Sequence, residues 1–208
     1  MFIFAISIAS TCLGIALIQH LCMPRLSRYT MGDSPTALLW LLNKVYVRVV
    51  HHLHAEGCEI IPNSVYPGKL IVVCTHQSPV DPLLVQSQCR FKIRWLMAKE
   101  YMVPSLDFVW KYSEVIPVAR DGRDSAGLRV ALRHLKQHGV IGIFPEGGIK
   151  SPREAIHPFA EGIGAMIARS QARVLLVTVD GTPMNDEMGG AIFERSRSLV
   201  RFIELIEY

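Results

Sequence analysis

His76 and Asp81 are the residues of this 208-residue chain whose types and spacing most directly suggest chemistry. A neutral imidazole can accept a proton from a hydroxyl near neutral pH, and a carboxylate on its other ring nitrogen fixes its tautomer and orientation. In a regular helix, side chains five residues apart diverge around the axis, so the two can meet only if His76 lies on a loop. The pair is then predicted to be a general-base dyad.

A structural interpretation of the same residues stays open. Ser78 could cap a helix while Asp81, three residues later, reaches back to form a weak capping box, which would leave His76 an ordinary loop residue. Both interpretations share one local prediction. The run of residues 69–74, apolar after Lys69, follows a Pro-Gly pair and is typical of a buried strand, which would lead into a loop and then a helix.

Two further polar candidates follow predicted strands. Arg120 comes after the apolar residues 115–118, and Glu146 comes after residues 140–144, with an amphipathic helix between the two strands. Strand, helix and strand with connections of this length favour a right-handed crossover, hence an α/β fold with a largely parallel central sheet flanked by helices. The carboxyl ends of such strands are where these sheets usually place their sites.

Four segments of the chain resemble, in order and spacing, the four sequence blocks of the glycerolipid acyltransferase family, the lysophosphatidic-acid acyltransferase-like proteins. The segments are His76–Asp81, Val115–Arg120, Gly142–Gly148 and Val174–Thr182. The resemblance covers roughly residues 69 to 182. It implies an acyltransferase that moves a fatty acyl group from acyl-CoA or acyl-ACP to the hydroxyl of 1-acyl-glycerol-3-phosphate and forms phosphatidic acid. It implies no bound cofactor, since the acyl donor is a co-substrate.

The resemblance also implies roles for individual residues. His76 would be the base, and Arg120, Glu146 and Gly147 would bind the glycerol phosphate of the acceptor, with Glu146 also orienting Arg120. A guanidinium can hold a phosphate through paired donors. An ordinary surface salt bridge between Arg120 and Glu146 is the alternative. Lys99 is a secondary candidate for contacting the phosphate, or else an ordinary surface charge.

Three departures from the family pattern leave the acceptor headgroup open. Glu114 stands where the second block usually opens with glycine, residues 147–150 read Gly-Gly-Ile-Lys instead of Gly-Thr-Arg-Ser, and Leu176 replaces a usual proline. An acyltransferase for another lysolipid is therefore one alternative. A catalytically silent lipid-binding member of the same fold is another.

The N-terminal segment predicts attachment to a membrane. Residues Met1 to Met23 contain no Asp, Glu, Lys or Arg and are long enough to cross the hydrocarbon core, which is about 30 Å thick. A cleaved signal peptide is disfavoured because no basic region precedes the apolar run. Arg25 and Arg28 follow the segment and favour a cytoplasmic location for the bulk of the chain and its active site.

A second helix is predicted to begin near Pro35 and to run to about residue 50. Lys44 and Arg48 interrupt its apolar sequence, so we expect it to lie at the membrane interface, with a core helix of the globular domain as the alternative. The predicted organisation is therefore N-terminal membrane-anchoring helices in residues 1–55 and a catalytic domain in residues 56–208.

Composition excludes several other classes of protein. The five cysteines form an odd set without a Cys-x-x-Cys pair, so no disulfide framework or zinc site is indicated. A net charge of +4 without a long basic run gives little support for nucleic-acid binding, whereas a basic face could suit anionic lipid. His51, His52 and His54 invite a metal hypothesis, but they lack carboxylate or cysteine partners and are predicted to form a solvated helix end.

Overall fold

The computed structural model describes residues 20, 23–30, 33–102, 104, 107–119, 125–153, 155–160 and 162–207. The predicted membrane segment, Met1–Met23, lies almost wholly outside these residues. Within the described ranges, no helix is both long and apolar enough to cross a membrane.

The described residues form one seven-stranded sheet. Its strands are β1 (His54–Glu56), β2 (Leu70–Cys74), β3 (Arg94–Ala98), β4 (Ile116–Val118), β5 (Val140–Ile143), β6 (Arg173–Asp180) and β7 (Leu199–Ile206). Their order is β1-β7-β6-β2-β5-β3-β4, and every neighbouring pair is parallel except β6 and β7, which are antiparallel. The predicted α/β fold with a largely parallel sheet is confirmed.

Helices cover both faces of this sheet. They are α1 (Met23–Tyr29), α2 (Ser34–Val49), α3 (Asp81–Gln88), α4 (Asp107–Ser113), α5 (Ser125–Lys136), α6 (Gly162–Ser170) and α7 (Met188–Phe193). The hydrophobic core on one face of the sheet includes residues from α2, α3 and α7, and the core on the other face includes residues from α5 and α6. Strand β2 contributes alternate residues to both cores, which explains why its sequence is apolar throughout.

Helix α2 is packed on one side and apolar on the other. Asp33 caps its start by accepting a hydrogen bond from the Thr36 backbone N–H at 2.9 Å. Val47 belongs to the main core, whereas Trp40 packs with α1. A second set of apolar side chains recurs at helical spacing and is exposed: Leu38, Leu41, Leu42, Val45 and Val49. Neither sequence interpretation alone describes the helix, because it has both a core-facing side and an unpacked apolar side.

The predicted domain boundary falls inside the first strand of the sheet. Strand β1 includes residues on both sides of the 55/56 division, and it pairs in parallel with β7, with His54 beside Leu199. The division into 1–55 and 56–208 stays a prediction.

Candidate active site

His76 and Asp81 lie in hydrogen-bonding contact at the carboxyl end of β2. The Nδ1 atom of His76 is 2.9 Å from Oδ2 of Asp81, and the carboxylate is fully buried while the imidazole side chain is 15% exposed. Because an ionised carboxylate only accepts, Nδ1–H is the donor, and the neutral ring then carries its lone pair on Nε2. The contact requires His76 to lie on the loop, as predicted, since α3 begins only at Asp81.

Asp81 also organises the loop that carries His76. Its Oδ2 accepts hydrogen bonds from the backbone N–H groups of Gln77 and Ser78 at 2.7 and 2.8 Å. The reach back to the Ser78 backbone is what the capping interpretation expected of Asp81. The Ser78 cap itself is wrong: Val80 is the N-cap residue, and the Ser78 hydroxyl has no partner in the described part of the chain. One carboxylate therefore fixes both the loop backbone and the imidazole.

An aromatic stack holds the imidazole from one side. The Phe144 ring lies parallel to that of His76 at a centroid distance of 3.8 Å, and Trp95 stacks on Phe144 at 4.7 Å. Gly142 makes room for this stack, because a Cβ there would lie 2.4 Å from the Trp95 ring. Rotation of the imidazole about its Cβ–Cγ bond would break this stacking as well as the bond to Asp81.

Glu146 and Gly147 lie in the loop after β5, three and four residues beyond its last residue, Ile143. The Glu146 carboxylate is buried, and Gly147 has a φ of 73°, a conformation that favours glycine, with open space where a Cβ would stand. Burial raises the pKa of the Cys74 thiol, and the negative charges of Asp81 and Glu146 raise it further. A thiol nucleophile is therefore disfavoured at Cys74.

Of the two remaining predicted site residues, the structure describes Lys99 but not Arg120. Lys99 is exposed in the short 3-10 helix Lys99–Tyr101, which directly follows β3 and so lies at the same edge of the sheet. Arg120 lies outside the described residues, so its role stays a prediction.

Arg153 contacts the loop that carries His76, and the sequence analysis did not predict this contact. Its guanidinium donates to the backbone carbonyl of Gln77 at 2.8 Å, and the amide of Gln77 in turn donates to Asp180 at 3.3 Å. No motif spacing marks Arg153, since its partner on the loop is a backbone carbonyl 76 residues away. A sequence offers no signal for such a contact.

The histidine cluster of the metal hypothesis is divided between two environments. His52 and His54 are exposed, but His51 is fully buried, so the prediction of a solvated helix end is wrong for His51. Its Nε2 lies 2.8 Å from the Tyr46 hydroxyl and its Nδ1 lies 2.9 Å from that of Ser196. The reason is that the chain turns inward after α2 to begin the sheet.

The protons in this cluster can be assigned. Burial raises the pKa of Tyr46 to about 12, and its hydroxyl donates to the Ile192 carbonyl at 2.7 Å. His51 Nε2–H must then be the donor to Tyr46, and Nδ1 accepts from Ser196. Among the described residues, no group of three or more His, Cys, Asp or Glu side chains is arranged to hold a metal ion.

Comparison with known proteins identifies the family of this chain. The sequence profile of the family described as Acyltransferase matches residues 52–180, more than half of the chain. The chain belongs to the acyltransferase family. The match includes the His76 loop, the stacked Phe144 and the buried Glu146, so the family resemblance inferred from the sequence blocks is confirmed, and the protein is an acyltransferase-family enzyme.

A solved relative has the same fold. The crystal structure of the 1-acyl-sn-glycerophosphate acyltransferase PlsC from Thermotoga maritima superimposes with a TM-score of 0.65 at 20% sequence identity, covering 93% of this chain and 81% of that one. At this identity the match establishes the shared α/β architecture of the acyltransferase family.

Proposed function

We propose that this acyltransferase moves a fatty acyl group from acyl-CoA or acyl-ACP to the hydroxyl of 1-acyl-glycerol-3-phosphate, which gives phosphatidic acid for phospholipid biosynthesis. The observation that carries the proposal is the bond between His76 Nδ1 and Asp81 Oδ2, which leaves Nε2 as the basic nitrogen on a partly exposed ring. In the described part of the chain, no hydrogen bond to this Nε2 is formed.

The reaction follows from that arrangement. His76 Nε2 takes the proton of the acceptor hydroxyl as its oxygen attacks the thioester carbonyl, which forms a tetrahedral intermediate. The C–S bond then breaks, the ester forms, and the imidazolium returns the proton to the departing thiolate. Asp81 stabilises the imidazolium while it exists, and no covalent enzyme intermediate is needed. Holding the two substrates together supplies much of the remaining rate enhancement.

The phosphate of the acceptor requires a cation in this site. Asp81 and Glu146 are both buried carboxylates, so an anionic acceptor would be repelled unless a positive group stood between them and the phosphate. Arg120 is the proposed group, with Glu146 orienting it and Lys99 as a second contributor at the same edge. Gly147, with its open space, would let backbone approach the glycerol phosphate closely.

We also propose that α2 rests on the membrane with the enzyme facing the cytoplasm. Its unpacked stripe includes Leu42 and Val45, which are 54% and 55% exposed, and Lys44 lies 4.9 Å from the Trp40 ring centroid. Such a helix places apolar side chains among lipid tails and basic ones among headgroups. Flotation with anionic liposomes tests this, and Leu42→Asp should weaken binding more than Leu83→Asp, a change at a 37% exposed position on α3.

Acyl transfer by the membrane fraction tests the proposed reaction. Labelled acyl-CoA is offered with a panel of lysolipids to the native chain and to His76→Ala. We expect transfer to lysophosphatidic acid, lowered by roughly 10²-fold or more in the variant because the general base is lost. His54→Ala is the matched control, since His54 is exposed and lies in β1.

The other outcomes separate the alternatives. Transfer to a different lysolipid would change the acceptor and keep the mechanism. If acyl-CoA gives no product, acyl-ACP is tried next. Lysolipid binding without transfer from either donor would favour the silent binding protein, and near-normal turnover by His76→Ala would overturn the base assignment.

A further inference from the structure

We propose that Arg153 is a positioning residue for the catalytic dyad, acting through the peptide group that joins Gln77 to Ser78. The inference rests on the proposed role of His76 as general base. No motif or family block in the sequence points to Arg153.

The contacts of Arg153 connect three separate segments of the active-site edge. One terminal nitrogen, Nη1, donates to the Gln77 carbonyl at 2.8 Å and to the Pro183 carbonyl at 3.2 Å, and Nη2 donates to Asp186 Oδ1 at 2.5 Å. The Arg153 side chain is only 12% exposed. These contacts tie the His76 loop to the segment after Glu146 and to the segment after β6.

The link from Arg153 to the dyad passes through one rigid unit. In a trans peptide the C=O and N–H groups point in opposite directions in one plane. Arg153 holds the C=O end of the Gln77–Ser78 peptide, and the N–H end donates to Asp81 Oδ2 at 2.8 Å. Asp81 Oδ2 is also the acceptor for His76 Nδ1–H. Fixing the carbonyl therefore fixes one of the donors that hold the carboxylate of the dyad.

The positive charge of Arg153 adds to this geometric effect. A cation bonded to the carbonyl polarises the peptide group and strengthens its N–H as a donor. A guanidinium suits the task because its two terminal nitrogens can reach the two carbonyls and the carboxylate at once. A lysine ammonium is a single point of contact, so it could satisfy the Gln77 carbonyl but could not span all three groups.

The chain offers a matched control for this arginine. Arg173 likewise bonds a backbone carbonyl, that of Pro67, and a carboxylate, Glu207, at 3.3 Å. It begins β6, at the edge of the sheet opposite His76. Replacing either arginine by glutamine removes similar bonds, but only Arg153 lies next to the dyad.

The first test compares the kinetics of Arg153→Gln and Arg173→Gln. We expect kcat of Arg153→Gln to fall roughly 10- to 100-fold with KM for both substrates nearly unchanged, because misplacing a reacting group by about 1 Å can cost that much. Arg173→Gln should keep the native kcat. Arg153→Lys should recover part of the loss, and millimolar guanidinium should partly restore Arg153→Ala. Equal losses in the two glutamine variants, or a change confined to KM, would overturn the proposal.

A second readout does not depend on turnover. In the native chain the His76 Nδ1–H bonded to Asp81 should give a downfield imidazole proton resonance, assigned by its loss in His76→Ala. Arg153→Gln should shift this resonance or hasten its exchange with water, whereas Arg173→Gln should leave it in place. An unchanged resonance in Arg153→Gln would refute the positioning role. If the native chain transfers no acyl group, the proposed function fails, and this spectrum still decides the inference.

Discussion

Two histidines of this molecule are held by hydrogen bonds yet are suited to opposite tasks. His76 bonds a carboxylate through Nδ1, and its ring is partly exposed. His51 is fully buried, with neutral hydroxyls on both ring nitrogens. His76 can gain a proton at Nε2 beside a negative charge that stabilises the product. His51 can gain one only at Nδ1, where it must displace the proton of Ser196 in a buried site.

The difference teaches which features of a histidine predict proton transfer. A larger number of hydrogen bonds does not indicate proton transfer, because His51, with partners on both ring nitrogens, is the structural histidine. What matters is the charge of the partner and whether the second nitrogen is accessible. His51 instead joins the end of α2 to the segment that precedes β7, so we expect it to stabilise the fold. The comparison can be tested by changing the partner of His76 and, separately, by replacing His51.

The largest effect is expected from Asp81→Asn, which makes the partner of His76 neutral. The variant amide cannot stabilise the imidazolium as a carboxylate does, and it favours the wrong tautomer if its NH2 faces Nδ1. We expect kcat for acyl transfer to fall roughly 10²-fold or more. Single-turnover assays with labelled acyl-CoA would measure the loss.

Asp33→Asn is the matched control for this change. Asp33 also accepts a backbone N–H, at the start of α2, and asparagine serves equally well as an N-cap. Activity and stability should both stay near the native values. If Asp81→Asn were as active as Asp33→Asn, the carboxylate would be dispensable and the contrast with His51 would lose its basis.

The complementary change is His51→Ala, which should affect stability instead of chemistry. Removing the ring leaves a cavity and deprives Tyr46 and Ser196 of a partner. We expect the free energy of unfolding to fall by about 2–4 kcal/mol, with kcat per folded molecule unchanged. Urea unfolding and active-site-normalised assays measure the two quantities.

His54→Ala is the reference for the stability change. The His54 side chain is exposed, with Nε2 3.8 Å from the Glu56 carboxylate, so its removal should cost less than about 1 kcal/mol. A stability loss in His51→Ala no larger than that of His54→Ala would contradict the structural role of His51.

The smallest expected effect is on the pH dependence of stability. Desolvation lowers the pKa of His51 below its ordinary 6.5, although the charge of Glu194 opposes this. The unfolded chain therefore binds the proton first, and the free energy of unfolding should fall as the pH drops below about 6.5. Desolvation also lowers the pKa of His134, with the same sign. His51→Ala should thus show a shallower decline between pH 7 and 5, and equal slopes would contradict the assignment.

The sequence was enough to predict the parts of the site that depend on local order. The strand before His76 follows from an apolar run. A spacing of five residues allows contact between His76 and Asp81 only if His76 lies on a loop, and the family resemblance favours that contact over the capping interpretation. Glu146 is predicted at this edge because it comes after a buried strand, whereas the role of Gly147 rests on the family resemblance. Such features are local because a strand and the loop after it are adjacent in the chain.

Contacts between distant segments could not be predicted in this way. Arg153 bonds a backbone carbonyl, and every residue has one, so no residue type marks the partner. His51 is predicted to be solvated because the histidines lack carboxylate or cysteine partners in the sequence, and only the pairing of β1 with β7 shows that the chain turns inward there. The antiparallel direction of β7 likewise depends on how the segment after β6 returns, which hydrophobic pattern does not encode.

The pairing of β1 with β7 has a consequence for biosynthesis. The first strand of the sheet has the last one as its partner, and Ser196, which bonds His51, directly precedes that last strand. During translation, α2 and β1 leave the ribosome long before either partner exists. The contacts that hold β1 and His51, just after α2, can therefore form only after Ser196 and β7 have been synthesised.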